Sequence, residues 1–542
     1  ATTSIAPIMI TNGENIIIEK VTLSGQSPIT STYTYSHGII ITGTSRNIEV
    51  RNCHIYGPKN FGTAVTGTNQ NPVRLKDATV SDVRILNNLI EGGSCGVYVY
   101  GTNSTSRISN VVVKGNTIGY VDTYGFYVYY ADSVLIEGNT LVQRTGNFTP
   151  GIMYGVYNYY ANSDIISNKL KMASTYYGIY TYYMNNDTSI RHGLIVNNEI
   201  IGNATTTTHR GIYMNSYTRA KVYHNSIYMG GSAAGSGIYV TSSAYTYVDI
   251  KNNNIVMNVD EGSDPYPIYL GSITYLGTQW TLNYNNYYNE NGTNIGYAGG
   301  AKTSLAAWQA TVSMDTNSVS INPNFLDISI SMMLLDSNGL SCPRLPLVLN
   351  DIQDSSRSSL TTMGAYHFEP ARVDVLPLTF TTPSTTVAVG VTTPITVTFV
   401  NNGLDTITSF MVGCKVNGIA ITPTSFTGSL ASGDSTTILL GSFTPQSYEN
   451  SIVVYTYLPN GQPDQFKIND TISMEAYGCD SMLNGTYTIG TTGDFTTIDK
   501  AIKAIENCEI SASVIFEIQN GTYTNHLSIG QIQGASDTNT VT

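Results

Sequence analysis

Charge is scarce in this chain: Asp, Glu, Lys and Arg together supply only 11% of its 542 residues. The net charge is -12 and the few Lys and Arg never gather into a basic run. The electrostatic footprint of a nucleic-acid binder is therefore missing, and DNA and RNA are not expected partners. Long apolar stretches are missing too. No run approaches the ~18 residues a membrane span needs, and Ala1 does not open a charged-then-apolar leader, so the sequence reads as soluble, without membrane insertion, and as mature or fragmentary. Cysteine is sparse: Cys53, Cys95, Cys342, Cys414, Cys479 and Cys508 are too few for a disulfide scaffold, and no Cys-x-x-Cys pair suggests zinc or redox work. Cys479 and Cys508 flank a compact segment and are the one candidate disulfide, with two free thiols as the alternative.

Gly (50) and Tyr (40) are abundant, and Asn, Ser and Thr recur throughout. That composition suits strands joined by polar turns, so an all-β fold is expected. The length exceeds what one hydrophobic core fills, which calls for several domains or a repeat.

A repeat is present. The pattern apolar-x-x-Asn-x-apolar recurs at Val113 to Ile118, Ile136 to Leu141, Val222 to Ile227 and Ile250 to Ile255. Its Asn forms a series: Asn88, Asn116, Asn139, Asn168, Asn198, Asn225 and Asn253, with Val21 and Cys53 in the equivalent place earlier and Asn285 later. Val21 and Asn253 are 232 residues and eight steps apart, a mean spacing of 29. A period of this length without an intervening helix predicts coils that stack through parallel strand pairing, a β-helix. An inward-turned Asn at one corner of each coil can bond the backbone and its counterparts above and below, so the ladder reads as structural.

A second series follows a Gly. Gly96-Val97-Tyr98, Gly125-Phe126-Tyr127, Gly155-Val156-Tyr157, Gly178-Ile179-Tyr180, Gly211-Ile212-Tyr213 and Gly237-Ile238-Tyr239 repeat, and Pro267-Ile268-Tyr269 continues them. Because side chains alternate across a strand, the middle residue should point inward and the Tyr outward, with Tyr100, Tyr129, Tyr159 and Tyr182 on the same outer face. Such an external stripe either stacks against sugar rings or packs on itself and shields the sheet; self-packing is the preferred reading.

The coils resemble the right-handed β-helix superfamily of pectate lyases and polygalacturonases, and more closely large secreted surface proteins of the Bacteroidota. The closer resemblance rests on Tyr284-Asn285-Asn286-Tyr287-Tyr288, Ile295-Gly296-Tyr297, Leu305-Ala306-Ala307-Trp308-Gln309, Asn322-Pro323-Asn324-Phe325 and Met363-Gly364-Ala365-Tyr366-His367-Phe368. In that family such a series ends the β-helix, which implies a boundary near Pro370. Residues 371–476 then show short alternating strands such as Ile395 to Val400, separated by turns at Asn401-Asn402-Gly403, Asn417-Gly418 and Ser432-Gly433-Asp434, a β-sandwich of about seven strands. It looks like the immunoglobulin-like, cell-adhesion-related domains of bacterial surface proteins. In residues 477–542, strand-like segments flank an amphipathic helix with Ile498, Ala501, Ile502 and Ile505 on one face. In the resembling proteins this order caps and opens a β-helix. The expected architecture is thus all-β: a right-handed parallel β-helix over 1–370, an immunoglobulin-like β-sandwich over 371–476, and the cap and first coil of a further β-helix unit over 477–542.

Chemistry is harder to find. A lyase of this fold needs several carboxylates converging to hold calcium beside an Arg or Lys base, and a hydrolase needs paired acids. Asp132, Asp164 and Asp187 lie seven, four and eleven residues before their ladder Asn. Those offsets place them on different faces or loops, and no catalytic residue is assigned. The loops Asp260-Glu261-Gly262-Ser263-Asp264 and Asp336-Ser337-Asn338-Gly339 could each bind calcium, but neither has a full calcium-loop spacing, and solvated turns are preferred; no cofactor is expected. His37 and His209-Arg210 precede the turn Gly and could line a cleft, although isolated histidines near turns are usually structural.

The expected function is an extracellular structural or adhesive surface element, with a carbohydrate-binding module as the alternative and a polysaccharide lyase or hydrolase third. Expected partners are further copies of the chain, head to tail, and polysaccharide or glycan. The resemblance to Bacteroidota proteins also implies O-glycans at Asp followed by Ser or Thr and an apolar residue, which singles out Ser133, Thr406, Thr471 and Ser481.

Overall fold

The computed structural model describes residues 6–25, 36–57, 70–77, 79–143, 153–185, 191–203, 208–260, 265–335, 339–368, 371–467, 469–521, 523 and 529–542. Two units emerge, Ala1–Glu369 and Pro370–Thr542.

The first unit is a coil of strands, three to a turn. In one turn Cys95–Tyr100 lies on the first sheet, Ile108–Lys114 on the second and Thr117–Gly119 on the third. The third sheet stacks ten such strands in chain order, from Thr22–Ser24 to Asn286–Asn289. Twice the first two strands fuse into one that rounds the corner unbroken, Tyr124–Glu137 and Met153–Ile166. Pairing is parallel and in register, Val97 with Phe126 and Tyr98 with Tyr127. The inward positions Val97, Phe126, Val156, Ile179, Ile212, Ile238 and Ile268 fill the core with essentially no exposure. The glycines before them keep the coils close. A Cβ on Gly96, Gly125, Gly155, Gly178 or Gly211 would meet the carbonyl oxygen of the next coil's Gly at 2.4 to 2.8 Å, so any larger residue would push neighbouring coils apart.

At the corner between the second and third sheets, the residue before each ladder position is left-handed: Asn52, Asn87, Gly115, Gly138, Ser167, Asn197, His224, Asn252 and Tyr284. That conformation turns the chain sharply, and the following Asn seals the turn. From Asn88 to Asn253 each Nδ2 donates to the next ladder Oδ1 at 2.9 to 3.0 Å, and the same oxygen accepts the backbone N–H of the Asn before it. Each Nδ2 also donates to a carbonyl one coil back, as Asn168 does to Ile136 at 2.8 Å. The ladder starts at the Cys53 N–H and ends at Ser318, whose Oγ accepts the Asn285 N–H. Ser318 in turn donates to buried Asp315, which also accepts from Tyr287 and from Trp308 Nε1.

Helix α1 (Leu305–Val312) closes this end. Ser304 caps it by accepting the Ala307 N–H, and Trp308 and Val312 are buried. The Trp308 ring fills the space beside Gly296 where a side chain would otherwise stand. The chain then returns along the outside of the third sheet. Met363 to Phe368, quoted above as part of the closing series, lies against coils well inside the stack: the Gly364 N–H donates to the Asn252 carbonyl and the Ala365 N–H to Ser226 Oγ. Two buried charges fasten this segment. Glu199 accepts from the Met332 N–H and the Tyr366 hydroxyl. Arg357, 1% exposed, donates to Asn197 Oδ1 and to the Gly364 and Ala365 carbonyls, each at 2.9 Å.

The second unit begins with eight strands in sheets of three and five, packed face to face over Val397, Phe399, Phe410, Val412, Ile452 and Val454. Its last strand, Thr471–Cys479, runs beyond residue 476. There follow Leu483–Ile489, helix α2 (Ile498–Asn507) and Ile510–Ile518, with the two strands parallel. Helix α2 buries Ala501, Ile502, Ala504 and Ile505 in a small separate core with Phe495 and Val514. Cys479 and Cys508 are joined, with Cα atoms 5.4 Å apart. The bond closes a loop of 29 residues, so chain-entropy arguments predict that reducing it lowers the stability of this unit by about 3.5 kcal/mol. Thermal unfolding with and without dithiothreitol checks this; an unshifted transition would show that the bond holds nothing together.

Candidate functional site: a tyrosine face and its cleft

Alternation turns the Tyr of each Gly-x-Tyr unit out of the first sheet. Rings in neighbouring coils stack from Tyr98 to Tyr127 (5.1 Å), Tyr157 (5.0 Å) and Tyr180 (5.0 Å). Tyr213 meets Tyr180 and Tyr239 edge-on, where the Arg210 guanidinium lies 4.5 Å over Tyr213 and 4.2 Å over Tyr239. Stacking resumes through Tyr239, Tyr269 and Tyr297 at 4.3 Å. A parallel row runs through Tyr100, Tyr129, Tyr159 and Tyr182. The stripe is less open than strand alternation suggests: Tyr98 and Tyr180 are only 5% and 9% exposed and Tyr127, Tyr157, Tyr213 and Tyr239 half-buried. Neighbouring rings cover one another, and Arg74 lies over Tyr98. Burial pushes the Tyr180 hydroxyl up to about 12.

A third row escaped sequence reasoning. Tyr130, Tyr160, Tyr183, Tyr217 and Tyr245 stack at 5.2, 4.3, 4.1 and 4.6 Å, and the first four have left-handed φ of 48 to 62°. That conformation costs a non-glycine residue roughly 1–2 kcal/mol, which the stacking repays in part. The signal was the doublets Tyr129-Tyr130, Tyr159-Tyr160 and Tyr182-Tyr183, whose second members sit at the corner between the first and second sheets.

Beside this third row opens a cleft of about 720 Å³, walled by Tyr160 and Tyr183 and by Arg107, Asp132, Asp164 and Arg191. Arg107 Nε pairs with Asp132 at 2.8 Å, and Asp132 also accepts from Asn162. Arg191 grips both oxygens of Asp164, which accepts the Leu194 N–H as well. Asp132 and Asp164 are therefore together, contrary to their offsets from the ladder. Pairing slips between Ala131 and Val134 against the next coil, and this irregularity moves Asp132 to the rim shared with Asp164. Asp187 lies outside the described residues. Because the rings of this row stack on one another, they offer the cleft their edges and hydroxyls, and these groups beside neutralised ion pairs suit a hydroxyl-rich ring, which supplies C–H groups for packing and O–H groups for charge-assisted hydrogen bonds.

The other sequence candidates fall elsewhere. His37 and His209 are wholly buried rather than lining a cleft, whereas Arg210 lies over the outward Tyr213 and Tyr239 rings. His37 Nδ1 contacts the Asn71 carbonyl at 3.2 Å, and burial pushes its imidazole down to about 4. Of the two loops considered for calcium, 261–264 and 336–338 lie outside the described residues. Ser133, Thr406, Thr471 and Ser481 are all exposed.

Stacked three-strand coils, a buried asparagine ladder and an aromatic outer sheet define a parallel β-helix protein. The chain belongs to the family described as the right handed beta helix region, whose model matches residues 4–141 and 77–325; that family contains pectate-lyase-like enzymes and non-enzymes alike. No curated protein matches the chain. Among solved structures it is similar to the CARDB domain of the PF1109 protein from Pyrococcus furiosus. The crystal structure of that domain in complex with di-metal ions is 16% identical, with 20% of this chain and 93% of that one covered and a TM-score of 0.18. Its solution structure is 20% identical, with 20% and 97% covered and a TM-score of 0.17. Among the described residues no helix is long and apolar enough to cross a membrane.

Proposed function

We propose that this chain is an extracellular structural or adhesive surface protein that contacts polysaccharide through the cleft beside its third tyrosine row. The observation that carries the reading is the pairing of Tyr160 and Tyr183 with the Arg107–Asp132 and Arg191–Asp164 ion pairs on adjacent coils. A rigid coil spaces these groups at sugar-ring scale, and binding then costs little ordering entropy. The resemblance to Bacteroidota surface proteins and the exposure of Thr406, Thr471 and Ser481 fit a secreted, O-glycosylated protein, whereas Ser133 lines the cleft and would have to stay bare for polysaccharide to enter.

The full chain applied to a glycan array tests it. Binding to a subset of polysaccharides is expected, weakened about tenfold or more by Tyr160→Ala with Tyr183→Ala, since each lost aromatic contact is worth about 0.5–1.5 kcal/mol. Circular dichroism of the double variant reports that the coil survives. An array without signal, or a double variant that binds like the parent, overturns the reading.

A further inference from the structure

The sandwich holds a knot of negative charge that neither the coil nor its cleft uses. Asp374 stands immediately before the first sandwich strand, Val375–Thr382, while Asp464 and Asp470 come from the segment leading into the last, Thr471–Cys479. One carboxylate oxygen from each lies within 4.8 Å of the other two. Asp374 is 1% exposed and Asp464 6%. Asp374 Oδ2 accepts from the Asn402 and Asn469 side-chain amides at 2.6 and 3.2 Å, but its Oδ1 is buried without a hydrogen-bond partner. Asp470 Oδ1 and Asn469 Oδ1 are likewise buried and unpartnered. Asp464 spends its oxygens on the Val375 and Phe466 N–H groups, which fixes its orientation.

Three crowded carboxylates with idle buried oxygens are costly unless a cation neutralises them. Burial, reinforced by Asp464, pushes Asp374 up to about 6 and Asp470 up to about 7. Lys467 pulls Asp470 the other way, but more weakly than burial and the neighbouring carboxylates push it up. Three points mutually within 4.8 Å fit inside a circle of about 2.8 Å radius, so a small inward movement brings them to the roughly 2.3–2.6 Å of calcium–oxygen bonds, while magnesium would need about 2.0–2.1 Å and a tighter cage. The all-oxygen donor set, without His or Cys, also disfavours zinc.

The geometry points to a calcium site in the sandwich, built from Asp374 Oδ1, Asp464 and Asp470 Oδ1, that fastens the entry of the first sandwich strand to the segment leading into the last. Asp374 and Asp464 already touch this junction, Asp464 through the Val375 N–H. The ion would lock in place a segment otherwise held there by a few hydrogen bonds.

Calcium chloride titrated into the full chain after EDTA treatment, followed by isothermal calorimetry and thermal unfolding, tests the site. The expected result is one calcium per chain, a rise in the unfolding temperature of the sandwich, and much weaker binding of magnesium chloride. Asp470→Asn, which removes a ligand but no backbone contact, should weaken calcium binding by at least ~10-fold while unfolding in EDTA at the parent temperature or above it, because repulsion is relieved. No heat and no thermal shift up to about 10 mM calcium, or an Asp470→Asn chain that responds like the parent, would overturn the assignment.

Discussion

Replacing Asn168 by Leu is expected to destabilise the β-helix by about 3 kcal/mol or more. Asn168 is wholly buried. Its Oδ1 accepts the N–H and the Nδ2 of Asn139, and its Nδ2 donates to Asn198 Oδ1 and to the Ile136 carbonyl. Leucine keeps the branched skeleton but is bulkier, which adds strain at this closed site, and four groups in neighbouring coils lose a partner where water cannot replace it. Each buried unsatisfied group costs about 1–3 kcal/mol, reduced by whatever local relaxation re-pairs them. The left-handed turn at Ser167 loses its seal as well. Urea unfolding of the full chain, followed by tyrosine fluorescence, should show the β-helix transition moved to lower denaturant. An unchanged midpoint would mean the ladder is incidental to stability.

A comparable loss, about 3–5 kcal/mol, is expected for Arg357→Met. Methionine keeps an unbranched apolar stem but is shorter and lacks the donors. The Gly364 and Ala365 carbonyls and Asn197 Oδ1 would be left facing a thioether, and the weaker contacts to Thr361 Oγ1 and the Thr362 carbonyl would go too. Burial lowers this guanidinium to about 10, against the pull of nearby Asp351, so the parent already bears a desolvation penalty that its hydrogen bonds offset. With the anchor gone, the segment from 339 to 368 should loosen from the third sheet and expose Val196 and Tyr223, against which its Val348 packs. Limited proteolysis checks this: cleavage within 339–368 should become rapid while the coils stay resistant, and an unaltered digestion pattern would contradict the role assigned to Arg357.

These two residues mark what a sequence can and cannot reveal about such a fold. Asn168 was legible because it recurs: a β-helix writes its corner once per coil, and periodicity makes one side chain's environment known from its neighbours'. The Gly-x-Tyr rows were legible for the same reason, although alternation alone overstated how open the rings are. Arg357 reaches Asn197 across 160 residues, and Glu199 reaches Tyr366 across 167; neither contact repeats, so nothing in the sequence pairs them. Ser318 and Asp315 terminate the ladder where the repeat itself stops. The cleft was hidden by a single irregularity between Ala131 and Val134, since a register slip changes which face a side chain occupies. Asp374 and Asp470 were invisible for a simpler reason: two sheets had to fold before strand ends distant in the chain became neighbours.

What the cleft does to a polysaccharide is measured directly by co-sedimentation of the full chain with polymers found on the array, with the chain length of the polymer determined before and after. Retention of the protein by the polymer, loss of retention in the Tyr160→Ala, Tyr183→Ala chain, and an unchanged polymer length are the predicted results. Shortened chains with new reducing or unsaturated ends would contradict a binding role and make the protein an enzyme, and a parent chain that stays in the supernatant would remove polysaccharide from the account altogether.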